Sequence, residues 1–211
     1  MAKWRRIVIS ARSWRAYPGL VRGDGDGWMV SESGTHHWGR FGAAGLLVRA
    51  PRLDGDPAVL LQHRAPWSHQ GGTWGLPGGA LDSHEAPEDA ALREAEEEAG
   101  LPREHLQIRA QVKTAEVFGP GGTYWRYTTV VADAPGLLDT VPNQESSELR
   151  WVAENQVADL PLHPGFAASW GRLRIGAAVP PHSCGLRRPH TLETTEAGFA
   201  WCRAGAPRCT R

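Results

Sequence analysis

The chain has 211 residues, enough for one domain with a real core plus extensions, whereas two full domains would be a tight fit. Its 23 Lys and Arg residues balance its 23 Asp and Glu residues, so no net field recruits nucleic acid or an anionic membrane, and we expect neither partner. No apolar run reaches the length of a membrane span, and only three cysteines are present. These features favour a reducing, cytoplasmic setting.

Residues 1–39 are predicted to be an extension that precedes the core. Within it, the segments WMV and HHW flank the turn-like sequence SESG, which predicts a β-hairpin. His36 and His37 would point to opposite faces of a strand, which argues against joint metal binding. We expect the tryptophans of this arm to cover one edge of the core sheet, with a partner interface as the alternative.

Two predicted strands follow, FGAAGLLVRA and then residues 58–64, joined by the turn PRLDGDP. Arg64 ends the second strand near the start of the loop that leads to WGLPGG, a tight glycine turn where backbone carbonyls can approach a ligand closely. Its guanidinium would reach a substrate phosphate there, or it is an ordinary surface arginine. Trp67, Ser68 and His69 in the same loop are candidates for a pocket rim.

An acidic helix is predicted next. Glu94, Glu97 and Glu98 stand at i, i+3 and i+4, so they share one helix face and repel one another unless a cation lies among them. Arg93 lies four residues before Glu97, close enough for an ion pair. An apolar stripe on another side would dock on a sheet while the three carboxylates face outward. The stripe consists of Leu92, Ala95 and Ala99.

The chemistry of the available ligands limits which cation can bind there. Carboxylate oxygens without nearby His or Cys suit a hard ion, and Mg²⁺ bridges such carboxylates to substrate phosphates, with Mn²⁺ as a substitute. The alternative is a solvated acidic helix face that binds nothing.

Beyond the helix, residues 105–118 and 123–133 are predicted strands joined through GPGG, and residues 148–152 are a last strand. A short helix over 154–160 and a closing amphipathic helix over 166–175 follow. Three strand aromatics are available to stack on a nucleobase, although core packing is the commoner use of such residues. They are Phe118, Trp125 and Tyr127. Residues 177–211 lack apolar periodicity and are predicted to be an irregular tail.

The residues of the acidic segment resemble the Nudix box of the Nudix hydrolases, G-x5-E-x7-R-E-U-x-E-E-x-G-U with U apolar. All of its defined positions are present. One small departure is Ala86, which offers no side-chain oxygen to cap the helix, although Pro87 suits the first helical position. The matching residues are Gly79, Glu85, Arg93, Glu94, Ala95, Glu97, Glu98, Gly100 and Leu101.

The resemblance implies an α/β fold, the Nudix α/β/α sandwich with a mixed central sheet, over residues 40–176, preceded by the hairpin extension. It also implies a MutT-like enzyme that uses water and a divalent metal to cleave a nucleoside diphosphate linked to a group X. The metal ligands would be Glu94, Glu97, Glu98 and the carbonyl of Gly79. Glu85 and Arg93 would orient these carboxylates.

The general base stays open among Glu94, Glu97, Glu145 and Glu148, and Glu148 is also a candidate substrate contact. For X, we favour a nucleoside triphosphate, oxidised or not, cleaved to the monophosphate and pyrophosphate. ADP-ribose or a nucleotide sugar is the close alternative. An alternative of a different functional class is a regulatory module that senses a nucleotide without cleaving it. Nudix proteins of that kind typically lose glutamates of the box, and this chain keeps them all. A homodimer, with the arm or tail at its interface, is also left open.

Overall fold

A mixed sheet of seven strands forms the centre of the molecule in the computed structural model, which describes residues 23–53 and 56–176. The predictions for residues 1–22 and for the tail lie outside the described residues. β3 pairs in parallel with β8, and every other pairing in this sheet is antiparallel. Its strands are β3 Ala43–Ala50, β4 Ala58–Arg64, β5 Trp74–Gly75, β6 Gly78–Ala80, β7 Gln107–Gly119, β8 Thr123–Asp133 and β9 Ser146–Ala153.

Strands β3 and β4 diverge along their length. They pair only at Arg49↔Val59 and Ala50↔Ala58, while the first residues of β3 pair with β6 instead. β4 continues with β5 and β9 on its two sides. The sheet is therefore split at one end, and we use the term cleft for this divergence between the β4 side and the β3/β6 side.

The two helices cover opposite faces of the sheet. α1, Pro87–Ala99, packs against the even-numbered residues of β3, such as Leu46 and Val48, and α2, Pro164–Gly176, packs with Leu47 on the other face. This arrangement confirms the predicted α/β/α sandwich. Helix α1 begins with Pro87 at its first position and has no side-chain cap at Ala86, as the sequence indicated. None of the described helices is long and apolar enough to cross a membrane.

The arm before the sheet forms the predicted hairpin, from β1 Trp28–Val30 and β2 His36–Trp38. One face packs on the sheet, where Met29 joins a small core with Ala43 and Trp125. The other face carries Trp28 and Trp38 in edge contact, 5.0 Å between ring centroids, and both are exposed. Trp28 and Trp38 therefore stand outward rather than covering a sheet edge, and Met29 and His37, whose ring lies 4.7 Å from that of Trp125, contact the sheet.

Most predicted element bounds agree with the structure to within two residues. Arg103–His105 is a 3₁₀ turn, so the strand predicted from His105 begins at Gln107. Glu154–Asp159 is a 3₁₀ helix, close to the short helix predicted there. The segment WGLPGG was expected to be a tight turn, but Trp74–Gly75 pairs with β4 and Gly78–Ala80 pairs with β3, both as strands.

Candidate active site

Arg93 is the centre of an ion-pair network at the start of helix α1. Its Nε and Nη2 donate to the two carboxylate oxygens of Glu85 at 2.7 and 2.9 Å, and Nη2 also donates to the carbonyl of Ala80 at 3.1 Å. Its Nη1 donates to Glu94 at 2.9 Å. The hydrogen bond from Arg93 is the main reason that the pKa of Glu85 is lowered. Arg93 thus fixes Glu94 and holds the loop before the helix against it.

Glu98 is buried, with 3% of its surface exposed. Its Oε2 accepts a 2.7 Å hydrogen bond from the backbone N–H of Gly78, and the Gln62 side chain also hydrogen-bonds to this carboxylate. Burial is the main cause that raises its pKa to about 8, and the charge of Glu94 raises it further. The ionised carboxylate is therefore costly here unless a cation accompanies it.

Glu94 is also largely buried, with 16% of its side chain exposed. Burial raises its pKa to about 7, although the Arg93 charge and hydrogen bond oppose this shift. Glu97 and Glu145 raise the pKa further, so their carboxylates lie near enough to Glu94 to repel its charge. The predicted repulsion among box glutamates is therefore present.

The outward orientation expected for all three helix carboxylates is wrong for two of them. Only Glu97 is exposed, with 58% of its side chain accessible, at 3.7 Å from Arg93. Glu98 follows the buried Ala91 and Ala95 at helical spacing, so it continues the buried stripe and points to the sheet. The carboxylates of Glu94 and Glu98 therefore lie between helix α1 and the sheet, at the edge of the cleft.

Gly79 lies directly against this cluster. A Cβ at this position would stand 2.3 Å from Oε1 of Glu94, so any other residue would displace the carboxylate. The backbone of β6 and the acidic side chains are in close approach there. Gly79 therefore lies beside Glu94, close enough for its carbonyl and the Glu94 carboxylate to bind the same cation, as predicted for the metal site.

The donor set fits a hard divalent cation. It consists of carboxylate oxygens and backbone carbonyls, and Arg93 is already committed to Glu85 and Glu94. Glu94 and Glu98 together hold raised pKa values that an added cation would lower again. The residues present therefore suit the metal that the sequence predicts.

The two acidic residues beyond the helix differ. Glu145 raises the pKa of both Glu94 and Glu98, so it belongs to the acidic cluster. Glu148 is half-buried and accepts a 2.8 Å hydrogen bond from Nε of Arg150, whose guanidinium lies over the Trp74 ring at 4.7 Å. The structure therefore brings Glu145 to the candidate site, and it places Glu148 in an ion pair at the surface.

Gln62 was not predicted and is fully buried beside Glu98. Its Nε2 donates to the Ser146 hydroxyl at 2.9 Å, and its Oε1 has no hydrogen-bond partner within the part of the chain that the structure describes. Its signal in the sequence is a single amide in the otherwise apolar segment AVLLQ. A buried amide of this kind positions a neighbouring carboxylate or meets a ligand.

Arg64 lies on the other side of the cleft from the box. Its Nε donates to the carbonyl of His69 at 2.9 Å, and no carboxylate pairs with it among residues 23–53 and 56–176. Its charge lowers the pKa values of His69, His163 and Tyr127, so all three lie near it. Arg64 is therefore held by the loop with most of its guanidinium donors uncommitted.

Tyr127 connects Arg64 to the acidic cluster. A Cβ on Gly45 would lie 2.1 Å from the Tyr127 hydroxyl, so a glycine is needed where the ring crosses β3. Burial raises the pKa of Tyr127, and the charges of Glu98 and Glu94 raise it further. The hydroxyl is thus a neutral group near both the arginine and the carboxylates.

The other aromatic candidates lie elsewhere. Trp125 is buried and its Nε1 donates to the carbonyl of Trp38 at 2.9 Å. Phe118 is exposed at the far end of β7 and contacts Tyr124. Trp67 and Ser68 lie in the loop after Arg64, where Trp67 is exposed. Stacking by any of them stays a prediction.

A second acidic group with metal-ligand spacing lies outside the helix and contains Asp24, Asp82 and His84. Its carboxylates already accept backbone hydrogen bonds, Asp82 from Gly25 at 3.0 Å and Asp24 from Ser83 at 2.9 Å. These bonds tie the start of the arm to the loop before α1. The group therefore has a structural explanation.

Comparison with known proteins agrees with this geometry. Residues 40–171 match the model of the NUDIX domain. The chain belongs to the Nudix family. It is a Nudix hydrolase of the pyrophosphohydrolase type, and the family acts on small nucleotide substrates and generally uses divalent metals.

Individual relatives cover most of the chain. A Mycobacterium tuberculosis (strain H37Rv) protein named "Putative 8-oxo-dGTP diphosphatase 3" is 68% identical over 194 residues, which span 90% of this chain and 89% of that protein. The Nudix hydrolase RenU from M. smegmatis is 69% identical in sequence, and its crystal structure superposes with a TM-score of 0.72. The match covers 74% of this chain and 98% of that chain. A C. elegans Ap4A hydrolase complex, 21% identical with a TM-score of 0.51 over 64% of this chain and 96% of that chain, shares the fold alone.

Proposed function

We propose that this Nudix hydrolase is a Mg²⁺-dependent pyrophosphohydrolase of nucleoside triphosphates, with oxidised triphosphates such as 8-oxo-dGTP as preferred substrates. The observation that carries the proposal is the buried carboxylate pair Glu94 and Glu98 on an intact box. The name of the M. tuberculosis relative supports the choice of substrate, because its similarity extends over nearly the whole of both chains. Mn²⁺ is the expected substitute for Mg²⁺.

The reaction consumes one water and one anhydride bond. Water attacks a phosphorus atom of the triphosphate, the bond to the bridging oxygen breaks, and a monophosphate and pyrophosphate leave. When bound, the cation neutralises charge on the phosphates and lowers the pKa of the attacking water. Glu94, Glu97, Glu98 and the Gly79 carbonyl would hold it.

The remaining groups act on geometry and charge. Arg93 and Glu85 keep Glu94 fixed through the network described above. Arg64 would bind a phosphate with the guanidinium donors that its hydrogen bond to His69 leaves uncommitted. For the proton of the attacking water, Glu97 and Glu145 are the candidates that the geometry supports best, since Glu148 is engaged by Arg150.

The organisation of the chain follows from this assignment. We propose residues 40–176 as the hydrolase domain, residues 1–39 as an arm that precedes it and residues 177–211 as an irregular tail. A cytoplasmic location, a homodimer, and the absence of nucleic-acid or membrane partners stay predictions.

A substrate panel tests the proposal. Pyrophosphate or phosphate release is measured from 8-oxo-dGTP, the ordinary nucleoside triphosphates, ADP-ribose, nucleotide sugars and dinucleoside polyphosphates, with Mg²⁺ and with Mn²⁺. We expect 8-oxo-dGTP to give the highest kcat/KM and pyrophosphate as its product. A preference for ADP-ribose or a nucleotide sugar would replace the proposed substrate, and nucleotide binding without turnover would favour a sensor.

A further inference from the structure

The arm reaches the substrate cleft although it lies before the matched NUDIX domain, which begins at residue 40. The Trp28 ring meets the His69 ring edge-on, with 5.7 Å between centroids. His69 belongs to the loop that follows Arg64, and its carbonyl accepts the hydrogen bond from Arg64 Nε. The outer face of the hairpin is therefore continuous with the side of the cleft that holds the arginine.

This surface extends toward helix α2. The rings of His69 and His163 lie 6.2 Å apart, and both are near Arg64. From Arg64 the wall continues to Tyr127 and then to the acidic cluster. A ligand whose phosphates lie at Arg64 and the carboxylates would thus extend its remaining part toward His69 and Trp28.

The chemistry of this wall is aromatic and uncharged. Burial lowers the pKa of His69, and burial lowers the pKa of His163 to about 4, so both rings are neutral at pH 7. Nδ1 of His163 accepts a 3.1 Å hydrogen bond from the N–H of Gly165, so its Nε2 carries the hydrogen. A neutral aromatic surface with a hydrogen-bond donor suits a heterocyclic base better than it suits a phosphate.

Trp28 is the ring best placed to act as a stacking platform. It is 44% exposed, so part of its surface is free, and Trp38 and His69 each hold it by an edge contact. Trp125 is unsuited, because it is buried and its indole N–H is committed to Trp38. Exposed Phe118 contacts Tyr124 with its ring, and its carbonyl accepts a 3.1 Å hydrogen bond from the N–H of Glu32 in the arm. It therefore offers a control for the loss of an exposed ring that touches the arm outside the proposed wall.

We propose that the hairpin arm forms the base-binding wall of the substrate cleft, with Trp28 as the stacking platform and His69 as its link to Arg64. This inference rests on the proposed function, because it assigns the nucleobase of the same substrate. It also assigns the arm a direct role in substrate binding.

Calorimetric titration of the full chain in Mg²⁺ tests the wall with two probes. One is a non-hydrolysable α,β-imido analogue of the preferred triphosphate, and the other is imidodiphosphate, which has no base. We expect Trp28→Leu to weaken binding of the nucleotide analogue by about 5- to 150-fold, the range measured for loss of one stacking contact, and to leave imidodiphosphate binding within about twofold. Trp28→Tyr should retain most of the nucleotide affinity, and Phe118→Leu should change neither probe.

Unchanged nucleotide binding in Trp28→Leu would overturn the inference, and so would an equal loss for both probes, since that would indicate a general structural effect. A second measurement needs no variant of altered fold. With 5-fluorotryptophan in the wild-type chain, the Trp28 resonance, assigned among the ten tryptophans by its absence from the spectrum of Trp28→Tyr, should shift on addition of the nucleotide analogue but not on addition of imidodiphosphate. If the wild-type protein hydrolyses nucleotides while the Trp28 resonance does not respond, the base-binding wall is refuted and the proposed function is not. If the protein neither hydrolyses nor binds nucleotides, the proposed function is refuted as well.

Discussion

The two sides of the cleft are built in different ways. The acidic side comes mainly from one continuous segment, the loop and helix from Gly79 to Glu98, in which Arg93 joins Glu85 to Glu94, and Glu145 adds one further carboxylate. The opposite side is assembled from separate parts of the chain, since Arg64, His163 and Trp28 come from a strand end, a helix start and the arm.

This difference separates chemistry from recognition. The carboxylates of the acidic side are costly to bury, and that cost is offset by Arg93 and by a bound cation. The residue types on this side are therefore tightly constrained. The opposite side consists of rings and one arginine, and these can be exchanged without affecting the carboxylates. Substitutions on the acidic side should therefore reduce kcat, whereas those on the opposite side should raise KM.

The largest effect is expected from Glu98→Gln. Loss of this buried carboxylate should lower kcat by about 10²- to 10³-fold, the cost typical of removing one preorganised electrostatic contact. The fold should persist, because a neutral amide in this buried position avoids the cost of the ionised group. Steady-state kinetics with 8-oxo-dGTP measure the change, and thermal unfolding checks the fold.

Glu96→Gln is the matched control, since Glu96 is exposed on the same helix and carries the same charge. It should leave kcat within about twofold, as surface changes usually do. Glu97→Gln should also lose most activity. Full turnover in Glu98→Gln or Glu97→Gln would remove that residue from the metal site.

A smaller effect is expected on the opposite side, from Arg64→Ala. Removal of a phosphate-binding guanidinium should raise KM by about 10-fold and change kcat by less than about threefold, because the interaction is made in the ground state as well. Arg109→Ala is the control, since Arg109 is an exposed arginine paired with Asp133. A fall in kcat with unchanged KM would move Arg64 to the chemical step.

The same difference explains what could be predicted from the sequence. The box is local, so helical spacing placed Glu94, Glu97 and Glu98 together, and the oxygen ligands indicated a hard cation. The burial of Glu98 was missed because the apolar stripe was drawn through Leu92, Ala95 and Ala99. The structure buries that stripe and also Ala91 and Glu98 beside it, so the buried face of the helix is wider than the apolar residues indicated.

Long-range features were harder to predict. The contact between Trp28 and His69 joins residues far apart in the chain, and no local pattern encodes it. Strand β6 was missed because glycines have low strand propensity, and its pairing depends on the divergence of β3 from β4. Gln62 is a polar residue inside an apolar strand, a signal that was present in the sequence but needed the position of Glu98 to be interpreted.

The smallest effect is on stability and depends on pH. The pKa values of about 7 for Glu94 and about 8 for Glu98 lie above the ordinary glutamate value of 4.5 that applies to the unfolded chain. Above pH 4.5 these two carboxyls hold more protons in the folded state than in the unfolded state, whereas the buried imidazole of His163, with its pKa lowered to about 4, holds fewer up to about pH 6.5. Above pH 7 the histidine contribution has ended and the carboxyls dominate, so the free energy of unfolding falls as pH rises. Without metal, the melting temperature should drop by about 3–5 °C between pH 7 and pH 8.5.

Millimolar Mg²⁺ should oppose this fall, because a cation that binds the ionised carboxylates stabilises only the folded state. The melting temperature, measured by calorimetry at each pH with EDTA and with Mg²⁺, should therefore differ most near pH 8 and least near pH 5. Glu98→Gln should flatten the metal-free curve, whereas Glu96→Gln should not. A metal-free curve that rises between pH 7 and pH 8.5 would contradict the burial of these carboxylates as the source of the effect, and with it the distinction between the charged and the aromatic sides of the cleft.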